Sequence, residues 1–188
     1  MEINSFVENY LAKLKLILDK IDPNDVSRII DALEGTIENK AKIFIMGNGG
    51  SSATASHMAS DLGAGLRRRD IVNFDIVSLG DNSSVITALA NDIGYENIFY
   101  MQLKGLIRPD DVIIAISCSG NSPNIVKATS YAKDIGCQVI GVTGFDGGQL
   151  KKNADISFHI DTSRNEYGLV EDAHMILDHI IYSYYVQK

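Results

Sequence analysis

The chain has 188 residues, of which 45% are hydrophobic and 22% charged, so it can bury a core and is typical of one domain spanning residues 1–188. Its formal net charge of -7 disfavours a broad surface for nucleic acid or an anionic membrane. Two cysteines, Cys118 and Cys137, show neither CxxC spacing nor a disulfide framework, and no apolar run is long enough to span a bilayer. A cytoplasmic location is therefore expected.

Helix and strand signals alternate along the chain. Apolar periodicity predicts helices over residues 3–18, 23–38 and 169–186. Cap residues followed by proline, at Asp22-Pro23 and Ser122-Pro123, mark helix starts, and Gly136 ends the second of these helices. Continuous apolar runs predict strands over residues 43–46, 74–79, 112–117, 139–143 and 156–160. The pattern predicts an α/β fold, a doubly wound five-stranded parallel sheet flanked by helices, with two leading N-terminal helices.

The first predicted helix has an apolar face. Its members recur at helical spacing and are Phe6, Tyr10, Leu14, Ile17 and Leu18. This face could cover the domain's own sheet or pack against another copy of the chain. Because the helix pair precedes the α/β unit, we favour a homo-oligomer.

Two loops share one construction, a buried strand that opens into a small, hydroxyl-rich turn before a helix. Residues 47–52 read GNGGSS and residues 117–122 read SCSGNS. Glycine lets the backbone approach a ligand, and the first turn of the next helix offers free N–H groups and the positive end of the helix dipole. Each loop alone could be a tight turn, but together they predict a phosphorylated ligand at the carboxyl ends of the strands. Neither loop fits a dinucleotide, Walker or serine-hydrolase motif.

Histidines and carboxylates share two predicted helices. His57 and Asp61 stand four residues apart and so lie on one helix face. On the last helix, Glu171, His174 and Asp178 form a stripe, and His179 is displaced from Glu171 by about 80°. Imidazoles beside carboxylates suit a divalent zinc-type metal or proton transfer near neutral pH. For each helix taken alone, solvated surface charges are the better interpretation; the two helices together favour a site.

These motifs carry a resemblance to a known family. They are residues 47–51 leading to His57, residues 117–124, Asn91-Asp92, residues 143–148 and the helix from Glu171 to His179. In them, and over essentially its whole length, the chain resembles the bacterial phosphoheptose isomerases of the sugar isomerase (SIS) fold superfamily. The resemblance implies conversion of sedoheptulose 7-phosphate to D-glycero-D-manno-heptose 7-phosphate for surface-glycan heptoses such as those of lipopolysaccharide or capsule. It also implies a homotetramer with active sites between subunits.

The resemblance also implies the site residues. The phosphate would be held by Ser51, Ser117, Ser119 and Ser122. The sugar would lie near Asn48, Cys118, Asp92 and Glu171. Zinc or a similar divalent metal would be bound by His57, Asp61, Glu171 and His179. Asp61 and His179 would be the catalytic proton-transfer groups.

The chain departs from the family pattern at four positions. Asp61 stands where the family has a glutamate and Glu171 where it has a glutamine, while Gly65 and Gly168 replace an arginine and an aspartate near the substrate. Because Asp61 is shorter than glutamate, its reach decides whether catalysis is retained. The alternative expectation is a non-catalytic SIS-domain protein that binds a phosphosugar, such as a regulator of replication initiation or of sugar metabolism.

Overall fold

The computed structural model describes residues 2–188. In chain order the elements are α1 (Ile3–Leu18), α2 (Pro23–Glu38), β1 (Ile43–Gly47), α3 (Gly50–Ala59), β2 (Ile76–Ser78), α4 (Ser83–Ile93), α5 (Ile98–Leu103), β3 (Val112–Ser117), α6 (Pro123–Ile135), β4 (Gln138–Phe145), α7 (Gly148–Asn153), β5 (Ile156–Asp161) and α8 (Tyr167–Gln187). A π-helical stretch, Ser60–Gly65, continues α3. In this part of the chain, no helix is both long and apolar enough to cross a bilayer.

The strands form one parallel sheet with the order β2-β1-β3-β4-β5. The predicted doubly wound α/β fold is therefore confirmed. From β1 the chain moves outward to β2, then returns across β1 and builds β3, β4 and β5 in the other direction. The winding direction reverses between β1 and β3, which is the place where such sheets form a ligand crevice.

The sheet is buried on both faces, as its continuous apolar strands predict. Successive side chains of β1 enter opposite cores: Ile43 and Ile45 belong to one core with residues of α2, α3 and α8, whereas Phe44 and Met46 belong to another with residues of α5 and α6. Residues of β3 are divided in the same way. The packing of α3 and α8 in one core places these two helices side by side.

Most predicted bounds agree with the structure. Helices α1 and α2 have the predicted limits, and Asp22 Oδ1 accepts a hydrogen bond of 2.9 Å from Asn24 N at the start of α2. Strand β2 is shorter than the predicted 74–79, because it is an edge strand that pairs with β1 alone while Phe74 packs into the core outside the ladder. Strand β4 is longer than the predicted 139–143. Near its end Gly144 N donates to Cys118 O at 2.9 Å, and beyond it Leu150 N donates to Gly120 O at 2.9 Å, so this region supports the serine-rich loop.

Helix α1 has two apolar faces. The inner residues Tyr10, Leu14, Ile17 and Leu18 are half-buried, and the last two pack on the domain's own core. The outer stripe consists of Ile3, Val7 and Leu11, which are 71%, 45% and 58% exposed, and Phe6 beside it is 50% exposed. The inner face thus covers this chain, while the outer stripe is available to another.

Candidate active site

The two polar loops flank the point where the sheet reverses. Strand β1 ends at Gly47 and leads into α3, and the adjacent strand β3 ends at Ser117 and leads into α6. The carboxyl ends of parallel strands meet at one edge of the sheet, so both loops lie together. Helices α3, α6 and α8 all begin at this edge.

The loops and the start of α8 enclose a pocket of about 180 Å³. Nine residues line it: Asn48, Ser51, Ile116, Ser117, Cys118, Ser119, Ser122, Tyr167 and Glu171. Seven of the eight residues predicted to bind substrate are among them. The fold has brought together side chains that are more than a hundred residues apart in sequence.

Backbone amides and hydroxyls shape the serine-rich loop. Ser117 Oγ accepts from Gly120 N at 3.1 Å and lies 3.4 Å from Ser122 Oγ, while Ser119 Oγ accepts from Asn121 N at 3.3 Å. Gly120 has a φ of +61° and passes so close to Gly147 O that a Cβ atom would overlap it, so this turn requires glycine. The result is a rigid row of hydroxyls at the start of α6, suited to an anion.

A pair of amides joins the two loops. Asn48 Nδ2 donates to Asn124 Oδ1 at 2.9 Å, and Asn124 Nδ2 donates back to Asn48 Oδ1 at 2.8 Å. Tyr95 Oη also donates to Asn48 Oδ1 at 2.9 Å. With its oxygen accepting two hydrogen bonds, the Asn48 amide is fixed in orientation and keeps one N–H for a ligand. No role was predictable for Tyr95 or Asn124 from the sequence.

Glu171 faces the first turn of α3. A Cβ atom on Gly50 would overlap the Glu171 carboxylate, so this glycine makes room for it. Burial, and next the negative charge of Glu171, raise the pKa of the Cys118 thiol to about 11. Cys118 is therefore a neutral thiol in the pocket, unsuited to act as a nucleophile near neutral pH.

A second set of polar groups lies further along α3 and α8. His57 Nε2 is 3.3 Å from His179 Nε2, 3.5 Å from Asp61 Oδ2 and 3.7 Å from Asp178 Oδ2. One ligand atom from each of these four residues lies within 4.8 Å of the others. We call these residues the histidine–aspartate cluster. Two imidazoles and two carboxylates around one point are a donor set suited to a divalent cation.

Comparison with known proteins agrees with this geometry. The SIS domain family matches residues 9–144. A phosphoheptose isomerase of Geotalea daltonii is 33% identical over 180 residues, which is 94% of this chain and 93% of that protein. The chain belongs to the phosphoheptose isomerase family of SIS-domain proteins.

Further relatives support that membership. A phosphoheptose isomerase of Helicobacter pylori strain P12 is 39% identical over 149 residues, covering 78% of this chain and 74% of its own. The solved structure of a phosphoheptose isomerase from Neisseria gonorrhoeae superposes over the full length of both chains with a TM-score of 0.89 at 26% identity. The two leading helices therefore belong to the shared fold.

The histidine–aspartate cluster differs from the predicted metal set at one position. The prediction grouped Glu171 with His57, Asp61 and His179, whereas the structure groups Asp178 with them and leaves Glu171 in the serine pocket. Glu171 and Asp178 are seven residues apart on α8, so they share a face but lie about 10 Å apart along the helix. The sequence contained a signal, since Asp178 lay in the predicted stripe beside His179.

Asp178 is the least solvated member of the cluster. Its side chain is 0% exposed, and neither carboxylate oxygen has a hydrogen-bond partner within residues 2–188. Burial, and next the like charge of Asp61, raise the pKa of Asp178 to about 7, although His57 opposes the rise. A buried carboxylate without partners is costly unless a cation or a proton neutralises it. These orphaned oxygens therefore fit a metal ligand.

Asp61 reaches the cluster although it is shorter than the glutamate implied by the family resemblance. It lies in the π-helical stretch that continues α3, and its Oδ2 is within 3.5 Å of His57 Nε2. A π-helical turn carries an extra residue and changes the direction of side chains, a feature that recurs at functional sites. The wider turn was not predictable from the i, i+4 spacing.

The other two histidines lie outside the cluster. His174 Nε2 is 3.2 Å from Thr143 O, so this nitrogen carries the proton, and burial lowers the pKa of His174 to about 4. His159 Nδ1 is 3.0 Å from Thr143 Oγ1 on the neighbouring strand. Helix periodicity alone had left His174 and His179 as alternatives, and the structure brings His179 to the cluster.

Asp92 is the one predicted substrate residue that does not line the described pocket. It is exposed on α4, where its Oδ1 accepts from Asn91 Nδ2 at 2.9 Å. Tyr95, three residues later, is the side chain from this region that contacts the pocket, through Asn48. A sugar contact at Asp92 stays a prediction.

Proposed function

We propose that the chain is a phosphosugar aldose–ketose isomerase that converts sedoheptulose 7-phosphate to D-glycero-D-manno-heptose 7-phosphate. The product would supply heptose for a surface glycan such as lipopolysaccharide or capsule. Membership of the phosphoheptose isomerase family supports the reaction class, and the arrangement of two polar sites on one helix pair supports it independently.

The observation that carries the proposal is the matched spacing on α3 and α8. Gly50 meets Glu171 at the serine pocket, and His57 meets Asp178 in the cluster. Gly50 and His57 are seven residues apart on α3, and Glu171 and Asp178 are seven residues apart on α8. The two contacts are therefore about 10 Å apart along the helix pair. An extended sugar phosphate anchored by its phosphate in the serine loop would point its far carbons towards the cluster.

The proposed chemistry moves a proton between two adjacent carbons through an enediol. Asp61 and His179 come from different helices, and their ligand atoms are within 4.8 Å of each other. We assign the Asp61 carboxylate as one proton-transfer group and the His179 imidazole as the other. The serine hydroxyls and the free N–H of Asn48 would hold the phosphate and the sugar so that the reacting carbons stay between these groups.

The cluster fits a divalent metal, for which zinc is the proposed ion. His57, His179, Asp61 and Asp178 would hold it, and the buried, unpartnered oxygens of Asp178 support this assignment. When bound, such an ion polarises a carbonyl and stabilises the developing oxyanion. Glu171 stays a candidate contact for the substrate, since it lines the pocket.

Assembly and compartment are part of the same proposal. The exposed apolar stripe of α1 supports a homo-oligomer, and the family resemblance implies a tetramer with sites between subunits. Both cysteines are free thiols, which supports a reducing cytoplasm. The alternative of a non-catalytic SIS-domain regulator is not favoured, because the similar proteins are named as isomerases.

Product formation tests the proposal. The purified chain would be incubated with sedoheptulose 7-phosphate, and NMR would follow the anomeric signals of an aldose product, with shorter ketose phosphates in parallel. We expect turnover of the seven-carbon sugar and little of the shorter ones. Binding without turnover, at full metal loading, would favour the regulator instead.

A further inference from the structure

The serine pocket has an unusual charge balance for an anion site. Of its nine lining residues, all in the described part of the chain, Glu171 is the one acidic residue, and no lysine, arginine or histidine is among them. The remaining polar groups are an amide, hydroxyls and the neutral Cys118 thiol. A phosphate would thus be bound by hydroxyls and helix N–H groups, in the presence of one carboxylate.

Glu171 lies on one wall of this pocket. Its carboxylate lies over Gly50, at the start of α3, and it is close enough to Cys118 to influence that thiol electrostatically. The first turn of α3 therefore already has an anion beside it. We therefore expect the phosphate to bind on the opposite side of the pocket, where Ser117, Ser119 and Ser122 lead into α6.

We propose that Glu171 selects substrates by charge, admitting sugar monophosphates whose remaining part is an uncharged polyol and rejecting those with a second anionic group. Its carboxylate accepts hydrogen bonds from sugar hydroxyls and repels a carboxylate or a second phosphate on the same ligand. The excluded class includes phosphorylated aldonic acids and sugar bisphosphates. This inference rests on the proposed function, since it assigns the phosphate to the serine loop.

The test compares two ligands on four proteins: the unaltered chain, two variants of Glu171 and one control variant. Calorimetry would measure, at equal metal loading, the affinity of a short ketose monophosphate and of the phosphorylated aldonic acid with the same number of carbons. Both ligands are chosen too short to reach from the serine loop to the histidine–aspartate cluster, so that the carboxylate of the acid reports on Glu171. We expect Glu171→Gln to shift the affinity ratio towards the acid by roughly ten-fold, because like charges at a half-buried site repel more strongly than they do in bulk water. Glu171→Ala should shift it in the same direction, which guards against an effect peculiar to glutamine.

Glu166→Gln is the matched control. It removes the same charge five residues earlier, but Glu166 pairs with Lys13 Nζ at 2.7 Å and is not among the pocket-lining residues. An unchanged ratio in both Glu171 variants, or an equal shift in Glu166→Gln, would overturn the inference. Absence of monophosphate binding by the unaltered chain would instead overturn the proposed function.

Discussion

At the scale of single residues, the hydroxyls of the serine loop carry the predicted affinity for phosphate. Ser119 Oγ accepts a hydrogen bond from Asn121 N at 3.3 Å, which holds the oxygen in place and leaves the O–H free to donate into the pocket. A rigid row of such groups loses little conformational entropy on binding. The loop thus resembles a preformed anion site.

Ser119→Ala should weaken phosphosugar binding by roughly ten-fold, because a hydrogen bond to a charged group contributes about 1.5 to 3 kcal/mol. Calorimetry with the sugar phosphate measures the loss. Ser130→Ala makes the same chemical change on the exposed side of α6 and should leave the affinity unaltered. Equal affinities for the two variants would contradict the assignment of the loop.

Asp178 affects the stability of the folded chain. Its buried carboxylate lowers the free energy of unfolding unless a proton or a metal ion neutralises the charge. Its folded-state pKa of about 7 is higher than the value of 3.8 for a free carboxyl. Without a metal, the folded chain binds the extra proton more tightly than the unfolded chain does. The contribution of Asp178 to the free energy of unfolding of the metal-free protein should therefore fall as the pH rises from about 4 to about 7. The lowered pKa of His174 acts in the opposite direction over much of this range, so the effect of Asp178 is measured as a difference between variants.

Asp178→Asn should remove this penalty, which amounts to at most about 4 kcal/mol. In chelator at about pH 8, the variant should unfold at a higher temperature than the unaltered chain, and at about pH 4 the difference should vanish. The variant should also lose the stabilisation that added metal gives. Asp92→Asn, at an exposed carboxylate, is the control. A variant that is less stable in chelator at high pH would refute this account.

At the scale of elements, α3 and α8 separate binding from chemistry. Their starts form part of the serine pocket, and their next turns carry the histidine–aspartate cluster. A substitution in the serine pocket should leave the histidine–aspartate cluster intact, and the reverse should also hold, because the two sites lie on the same helices but have no side chain in common. We therefore expect Ser119→Ala to weaken substrate binding and His179→Ala to lose metal and turnover.

His179→Ala should lose the bound metal and the isomerase activity while it keeps phosphate binding. Elemental analysis, a turnover assay and calorimetry on this variant would measure the three properties. His159→Ala, at a histidine outside the cluster, should keep the metal. If His179→Ala retained turnover, the catalytic assignment would fail and the binding-protein alternative would regain support.

At the scale of the whole molecule, α1 links the chain's own packing to its assembly. Its inner side is held to α8 by Tyr10 Oη, which donates to Asp172 Oδ2 at 2.6 Å, and by the ion pair of Lys13 with Glu166. These contacts lie beside Tyr167 and Glu171, which line the pocket. A second copy that packs on the outer stripe would therefore also stabilise the position of α1 against the start of α8, which lines the pocket.

The double substitution Val7→Glu with Leu11→Glu should reduce the oligomeric state, because it places two charges in the outer stripe of α1. Light scattering would report the mass in solution. Asn9→Glu adds a charge at an exposed polar position of the same helix and should leave the mass unchanged. Point changes are preferable to removing the first 20 residues, since Ile17 and Leu18 also cover this chain's core. An unchanged mass would assign the stripe another role.

Features encoded by neighbouring residues were predictable. The limits of α1 and α2 follow from apolar periodicity and from the Asp22-Pro23 start, because caps and helix propensity act within a few residues. The same holds for the two loops, whose glycines and serines lie next to the strands they follow. Membership of the family came from the same short motifs.

What the sequence determined by itself was thus the fold class, the anion loops and the helices that carry the ionisable groups. Only the tertiary structure decided that Asp178, not Glu171, joins His57, Asp61 and His179, and that Tyr95 contacts Asn48. The reason is that helix periodicity gives the face of each helix but not the height at which α8 packs against α3. That height is set by long-range packing in the core, and it places Glu171 beside Gly50 and Asp178 beside His57.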